Sequence, residues 1–134
     1  MWIMIAGPYT SGAADPATRA ANLRKLNETA LAVHRLGHVP IVGVNMALPM
    51  IETAGGADAA HAELMMPISL ALAERCEACL RIGGASSGAD AEVRKFEAAG
   101  RPVYRALGEI PPAQRKAASP RQLLDASYVV NSRE

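Results

Sequence analysis

Residues 83–88 read Gly-Gly-Ala-Ser-Ser-Gly, and Asp90 and Glu92 follow at once. Glycines let a backbone come close to a ligand, and hydroxyls donate hydrogen bonds. A helix start adds free amides at the positive end of its dipole. Ser86, Ser87 and Gly88 therefore suit a phosphate-sized anion, provided that a helix begins behind them. Glu92 then falls in the first turn of that helix, where the dipole favours the charged carboxylate. A carboxylate beside a phosphate-sized anion site has no need to be there for folding. The plainer alternative is that Asp90 and Glu92 are ordinary first-turn acids that the dipole favours without any ligand. A second loop of similar character, Gly7-Pro8-Tyr9-Thr10-Ser11-Gly12, closes the first apolar run of the chain.

Other reactive residues point nowhere so definite. Cys76-x-x-Cys79 lies between a helical pattern and the strand it enters, whereas a redox pair opens a helix after a strand. There is no second such pair, so small buried residues are the simpler reading and neither a metal nor a cofactor is expected. His34 falls on a helix face and His38 at a strand start. His61, in the long loop region, is the one histidine kept as a candidate. The segment from Gly7 to Gly12 lacks the Lys-Ser/Thr of a P-loop and also fails G-x-G-x-x-G.

The elements that must hold these loops alternate between strand and helix. Residues 3–6 form an apolar run closed by Gly7-Pro8. Asp15-Pro16 opens a helix, and Leu23, Leu26, Ala30, Val33 and Leu36 recur at spacings of three and four until Gly37. Residues 38–42 are a strand weakened by Pro40. Residues 43–60 carry Pro49, Gly55 and Gly56 and read as a long irregular loop. A second helix is expected over 62–75, with Pro67 ending or kinking its first turn. Then come a strand at 78–82, the glycine-serine loop, a helix at 89–99 stopped by Gly100, and a strand at 102–107. Residues 108–118 look like a linker. Ser119-Pro120 caps a short helix, and Tyr128-Val129-Val130 suggests an edge strand. This alternation predicts an α/β fold: a doubly wound, flavodoxin- or Rossmann-like parallel sheet of order 2-1-3-4, with a possible fifth edge strand. Ligands of such sheets sit outside the carboxyl ends of the strands, where both candidate loops fall.

Composition narrows the classes. The chain has 134 residues, half of them hydrophobic, with a formal net charge of +1. That suits one globular domain, with a core over residues 1–107 and an extension over 108–134. Near-neutral charge argues against a nucleic-acid partner. No run of apolar residues is long enough for a membrane span. Residues 1–6 lack the basic start of a signal peptide, and two cysteines make no disulfide framework, so a cytoplasmic setting is expected.

Several segments resemble the nucleoside 2-deoxyribosyltransferase-like family, which includes deoxynucleoside monophosphate N-glycosidases. Met4-Ile5-Ala6-Gly7-Pro8-Tyr9-Thr10 is similar to the family's first strand and loop, and Leu36-Gly37-His38-Val39-Pro40 to its second strand. Cys76-Glu77-Ala78 resembles its C-D-A entry to the third. Ser86-Ser87-Gly88-Ala89-Asp90-Ala91-Glu92 resembles its S-x-G-x-x-x-E segment, and Gly100-Arg101-Pro102-Val103 the sequel. The resemblance implies that Glu92 attacks the anomeric carbon of a deoxyribosyl group and that water or a second base resolves the glycosyl-enzyme. It implies substrate contacts from Gly7, Pro8, Tyr9, Ser86, Ser87, Gly88 and Asp90. Ser86, where free-nucleoside transferases carry Asp, tilts the substrate towards a nucleoside 5-phosphate. It also implies a homo-oligomer, for which the Met-rich segment 64–72 is the candidate interface. The chain departs from the family at Met4, where a Tyr is usual, at Ser69, where an Asp protonates the leaving base, and at Glu77 in place of Asp. Tyr9, Asp58 and Glu63 are the available substitutes. Those departures keep a second reading open, a nucleotide-binding or sensing domain without catalysis, and a purely structural domain is a third.

Overall fold

The computed structural model describes residues 1–10 and 15–114. The suggested strand at 128–130, the helix from Ser119 and residues Ser11 and Gly12 lie outside the described residues. Four strands, β1 (Trp2–Ala6), β2 (Val39–Ile41), β3 (Ala78–Arg81) and β4 (Val103–Tyr104), form one all-parallel sheet in the order β2-β1-β3-β4. Among the described residues four α-helices connect them: α1 (Pro16–Arg35) after β1, α2 (Gly43–Thr53) and α3 (Asp58–Arg75) between β2 and β3, and α4 (Ser87–Ala98) after β3.

The period-2 geometry of a strand divides β1 between two cores. Ile3 and Ile5 pack with Leu26 and Val33 of α1 and with Ala78 and Leu80 of β3. Met4 and Ala6 face the other way, onto Ala73 of α3, Cys79, and Ala89, Val93 and Phe96 of α4. Helices thus cover both faces of the sheet, as the doubly wound arrangement requires.

The limits of α1 predicted from local signals agree closely with the structure. Asp15 caps α1, its carboxylate accepting from the Thr18 amide and hydroxyl, both at 2.8 Å. Gly37, at φ +90°, ends the helix and donates to His34. Pro40 stands on an edge strand. Val39 donates to Met1, so the proline nitrogen faces away from β1 and costs the sheet no bond.

Three expectations are corrected. Residues 43–60 are not a loop: α2 occupies 43–53 and α3 already begins at Asp58. Ala47 and Ile51, one turn apart, bury themselves against Ala60 and Met65. That tertiary burial outweighs Pro49, whose lost hydrogen bond sits in a helix held from one side. For the same reason Pro67 lies well inside α3, where Met65, Ser69 and Ala73 are buried. Finally β4 has two residues rather than six. Arg105 turns its amide to the Glu109 carboxylate at 3.0 Å, and a short 3-10 helix, Leu107–Glu109, follows.

Candidate active site

The loops after β1 and β3 meet at the carboxyl edge of the sheet. A Cβ placed on Gly7 would lie 2.8 Å from Cγ1 of Ile82. Gly83, at φ +73°, passes so close to Pro8 that a Cβ there would lie 2.8 Å from the ring. Glycine is required at both positions by that approach. Pro8 is therefore a brace between the loops and does not line the cleft. Asn22 of α1 fixes the first loop from below by donating to the Tyr9 carbonyl at 2.9 Å.

Between these loops, α3 and the start of α4 lies a cleft of about 170 Å³. Gly7, Tyr9, Ser86, Ser87, Gly88 and Glu92 all line it, so the structure gathers six of the eight residues singled out in the sequence. Ser86 is the N-cap of α4: its hydroxyl accepts from the Ala89 amide at 3.2 Å. Asp90 is the other exception. It pairs with Arg81 at 3.3 Å, with its side chain about half exposed, and does not line the cleft.

Glu92 is the sixth residue of α4, so it lies in the second turn and not the first. It is 9% exposed. Among the described residues nothing hydrogen-bonds its carboxylate. The dipole does not set its charge, contrary to the sequence expectation. Burial pushes it up from the ordinary 4.5 to about 7, and the positive charge of Arg81 opposes that rise.

Arg81 was missed by sequence reasoning. It is the last residue of β3, buried, and its guanidinium donates to the Ile82 and Gly84 carbonyls as well as pairing with Asp90. It holds the glycine loop in shape and ties that loop to α4. An arginine ending an apolar strand was the available signal, because its guanidinium demands buried acceptors.

From α2 and α3 come Val44, His61, Met65, Met66 and Ser69, and Thr10 and Ala89 complete the lining. Ser69 is buried, and Gly43 packs so tightly on it that a Cβ there would come within 2.1 Å of its hydroxyl. Met4 is fully buried in β1. Asp58 and Glu63 are exposed and stand outside the cleft. Glu77 lies at the far end of the sheet, where its carboxylate accepts from the Trp2 amide at 2.7 Å. His38 is held at that end too. Its Nε2 donates to the Pro111 carbonyl at 2.6 Å, which leaves Nδ1 to accept from the Met1 amine at 2.8 Å. Cys76 and Cys79 are free and buried, and burial pushes their thiols up to about 11 and 12, so neither is a thiolate near neutral pH.

The Met-rich interface expected at 64–72 is partly consumed by the fold, since Met65 and Ser69 are buried. The exposed methionines are Met46 and Met50 on α2. No helix among the described residues is long and apolar enough to cross a membrane.

Fold and cleft together define a doubly wound α/β protein with a buried carboxylate beside the serine-glycine start of a helix. The chain belongs to the family described as a domain of unknown function (DUF1937), whose model matches residues 2–106. No curated protein matches it.

Proposed function

We propose that this protein cleaves or transfers the N-glycosidic bond of a nucleoside or nucleoside 5-phosphate, with the Glu92 carboxylate as nucleophile. The observation that carries this reading is the meeting of Glu92, buried and without a hydrogen bond among the described residues, with Ser86, Ser87 and Gly88 in one cleft. A carboxylate left without donors keeps its lone pairs for an electrophile. The cradle at the start of α4 would hold the phosphate or sugar oxygens, and Glu92 would bond to the anomeric carbon as the base departs. The S-x-G-x-x-x-E resemblance supports the same roles. Free, buried thiols agree with work in a reducing, cytoplasmic setting.

The cleft is smaller than the roughly 300–1,000 Å³ common for ligand sites. We place the contact of a homo-oligomer at the α2 face that exposes Met46 and Met50. Light scattering at high micromolar concentration checks this, and a monomer removes the idea.

One observation favours binding without catalysis: Met4 and Ser69 stand buried where the resembling family carries a tyrosine and an acid. Base release from a panel of deoxynucleoside monophosphates, followed by chromatography, separates the readings. Release abolished by Glu92→Ala supports the enzyme. Binding without release, in the parent protein, supports the sensor.

A further inference from the structure

We infer that His61 is the acid that protonates the departing base, an assignment that rests on the N-glycosidic reading above. His61 lies near the start of α3 and lines the same cleft as Glu92. Its Nε2 is shielded from solvent and has no hydrogen-bond partner among the described residues. A buried nitrogen left unpaired is costly, and folded proteins keep few of them. A substrate atom arriving in the cleft would supply the missing partner. The other two histidines differ: His38 has both ring nitrogens engaged, and His34 is exposed on α1.

The chemistry needs such a group. When the bond between the anomeric carbon and the base breaks, its electron pair goes to the base nitrogen, which is a poor leaving group until protonated. Asp58 and Glu63 stand outside the cleft, and Ser69 carries only a hydroxyl. Tyr9 also lines the cleft, but the buried nitrogen left without a partner among the described residues belongs to His61. His61 comes from the α3 side and Glu92 from α4, so nucleophile and acid enter from different elements.

In the first step a Glu92 oxygen bonds to the anomeric carbon, the bond to the base breaks, and the base nitrogen takes the proton from Nε2. The sugar remains as an ester on Glu92, and His61 is left neutral. In the second step water attacks the anomeric carbon and gives its proton to Nε2, and Glu92 leaves as a carboxylate. An incoming base would lose its N–H proton to the same atom.

The test compares two substrates of the intact protein: a 2-deoxyribonucleoside 5-phosphate and the 4-nitrophenyl glycoside of 2-deoxyribose 5-phosphate. Nitrophenoxide leaves without a proton. His61→Ala should lose about 10²–10⁴-fold in base release and keep most of its nitrophenoxide release. His61→Gln, which retains a polar side chain of similar reach but no transferable proton, should show the same selective loss and guards against misfolding. Equal losses on both substrates, or a Gln variant as active as the parent on the nucleotide, overturn the assignment while leaving Glu92 as nucleophile. A parent inactive on both substrates overturns the glycosidic reading and this assignment with it.

Discussion

The two sides of the cleft are built by different means. The α4 side is made from local chemistry. A cap serine, three glycines and a helix start follow one another in the chain, and each does its work within a few residues. The α2–α3 side is made from contacts between helices. Gly43 and Ser69 are 26 positions apart in the sequence, yet they set how closely the two helices approach. The serine hydroxyls and the Glu92 carboxylate come from the first side. Apolar surface from Val44, Met65 and Met66, together with the unpaired imidazole, comes from the second. The polar side is thus specified locally, and the side that shapes the space is specified by packing.

Removing the attacking group from the α4 side should have the largest effect. Glu92→Ala should lower base release by about 10³-fold or more while nucleotide binding, measured by calorimetry, survives. In the parent, nitrophenoxide release, which needs no acid, should rise with pH through about 7 as burial yields the carboxylate its charge late. Retained activity in the Ala variant would place the nucleophile elsewhere.

The same side carries a cost that Glu92→Gln exposes. The folded protein holds the Glu92 proton up to about 7, whereas the unfolded chain releases it near 4.5. Stability from this group is therefore whole below pH 4.5 and is lost as pH rises through 7. At about 1.36 kcal/mol per pH unit, the span from 4.5 to about 7 amounts to ~3 kcal/mol. Glu92→Gln, neutral throughout, should be the more stable protein above pH 7 by up to that amount, with the gap closing below pH 4.5. Urea midpoints on either side of the window measure it, and a gap that ignores pH would contradict the burial argument.

On the packed side the matching perturbation is Gly43→Ala. Its Cβ would overlap the Ser69 hydroxyl, and overpacking of this kind costs about 1–3 kcal/mol. Adding Ser69→Gly should restore much of the loss, a coupling that thermal unfolding of the double-mutant cycle resolves. Additive losses would mean that the two helices have room to separate.

The smallest expected effect returns to α4. Ser86→Ala removes the cap hydroxyl from the Ala89 amide and should cost about 1 kcal/mol. Phosphate should also stabilise the variant less than the parent in a thermal-shift titration. An unchanged phosphate response would detach Ser86 from the anion cradle.

These contrasts explain which parts of the molecule were legible in the sequence. Asp15-Pro16 and Gly37 bound α1 because caps and stops act through their own neighbours. The run from Ser86 to Glu92 showed both its helix and its place at a strand end, since strand, glycine loop and helix follow without a break. Alternating strand and helix signals were enough for the sheet order, because parallel crossovers leave few alternatives. Tertiary packing decided the rest. It made a helix of residues 43–53 in spite of Pro49, because burying Ala47 and Ile51 repaid a missing hydrogen bond that local propensity could only count as a break. It brought Ser69 and His61 to a cleft whose other wall is far away in the chain. It also raised the Glu92 carboxyl where the dipole alone would have favoured its charged form: a dipole can be read from position in a helix, but desolvation depends on every element packed around the carboxylate.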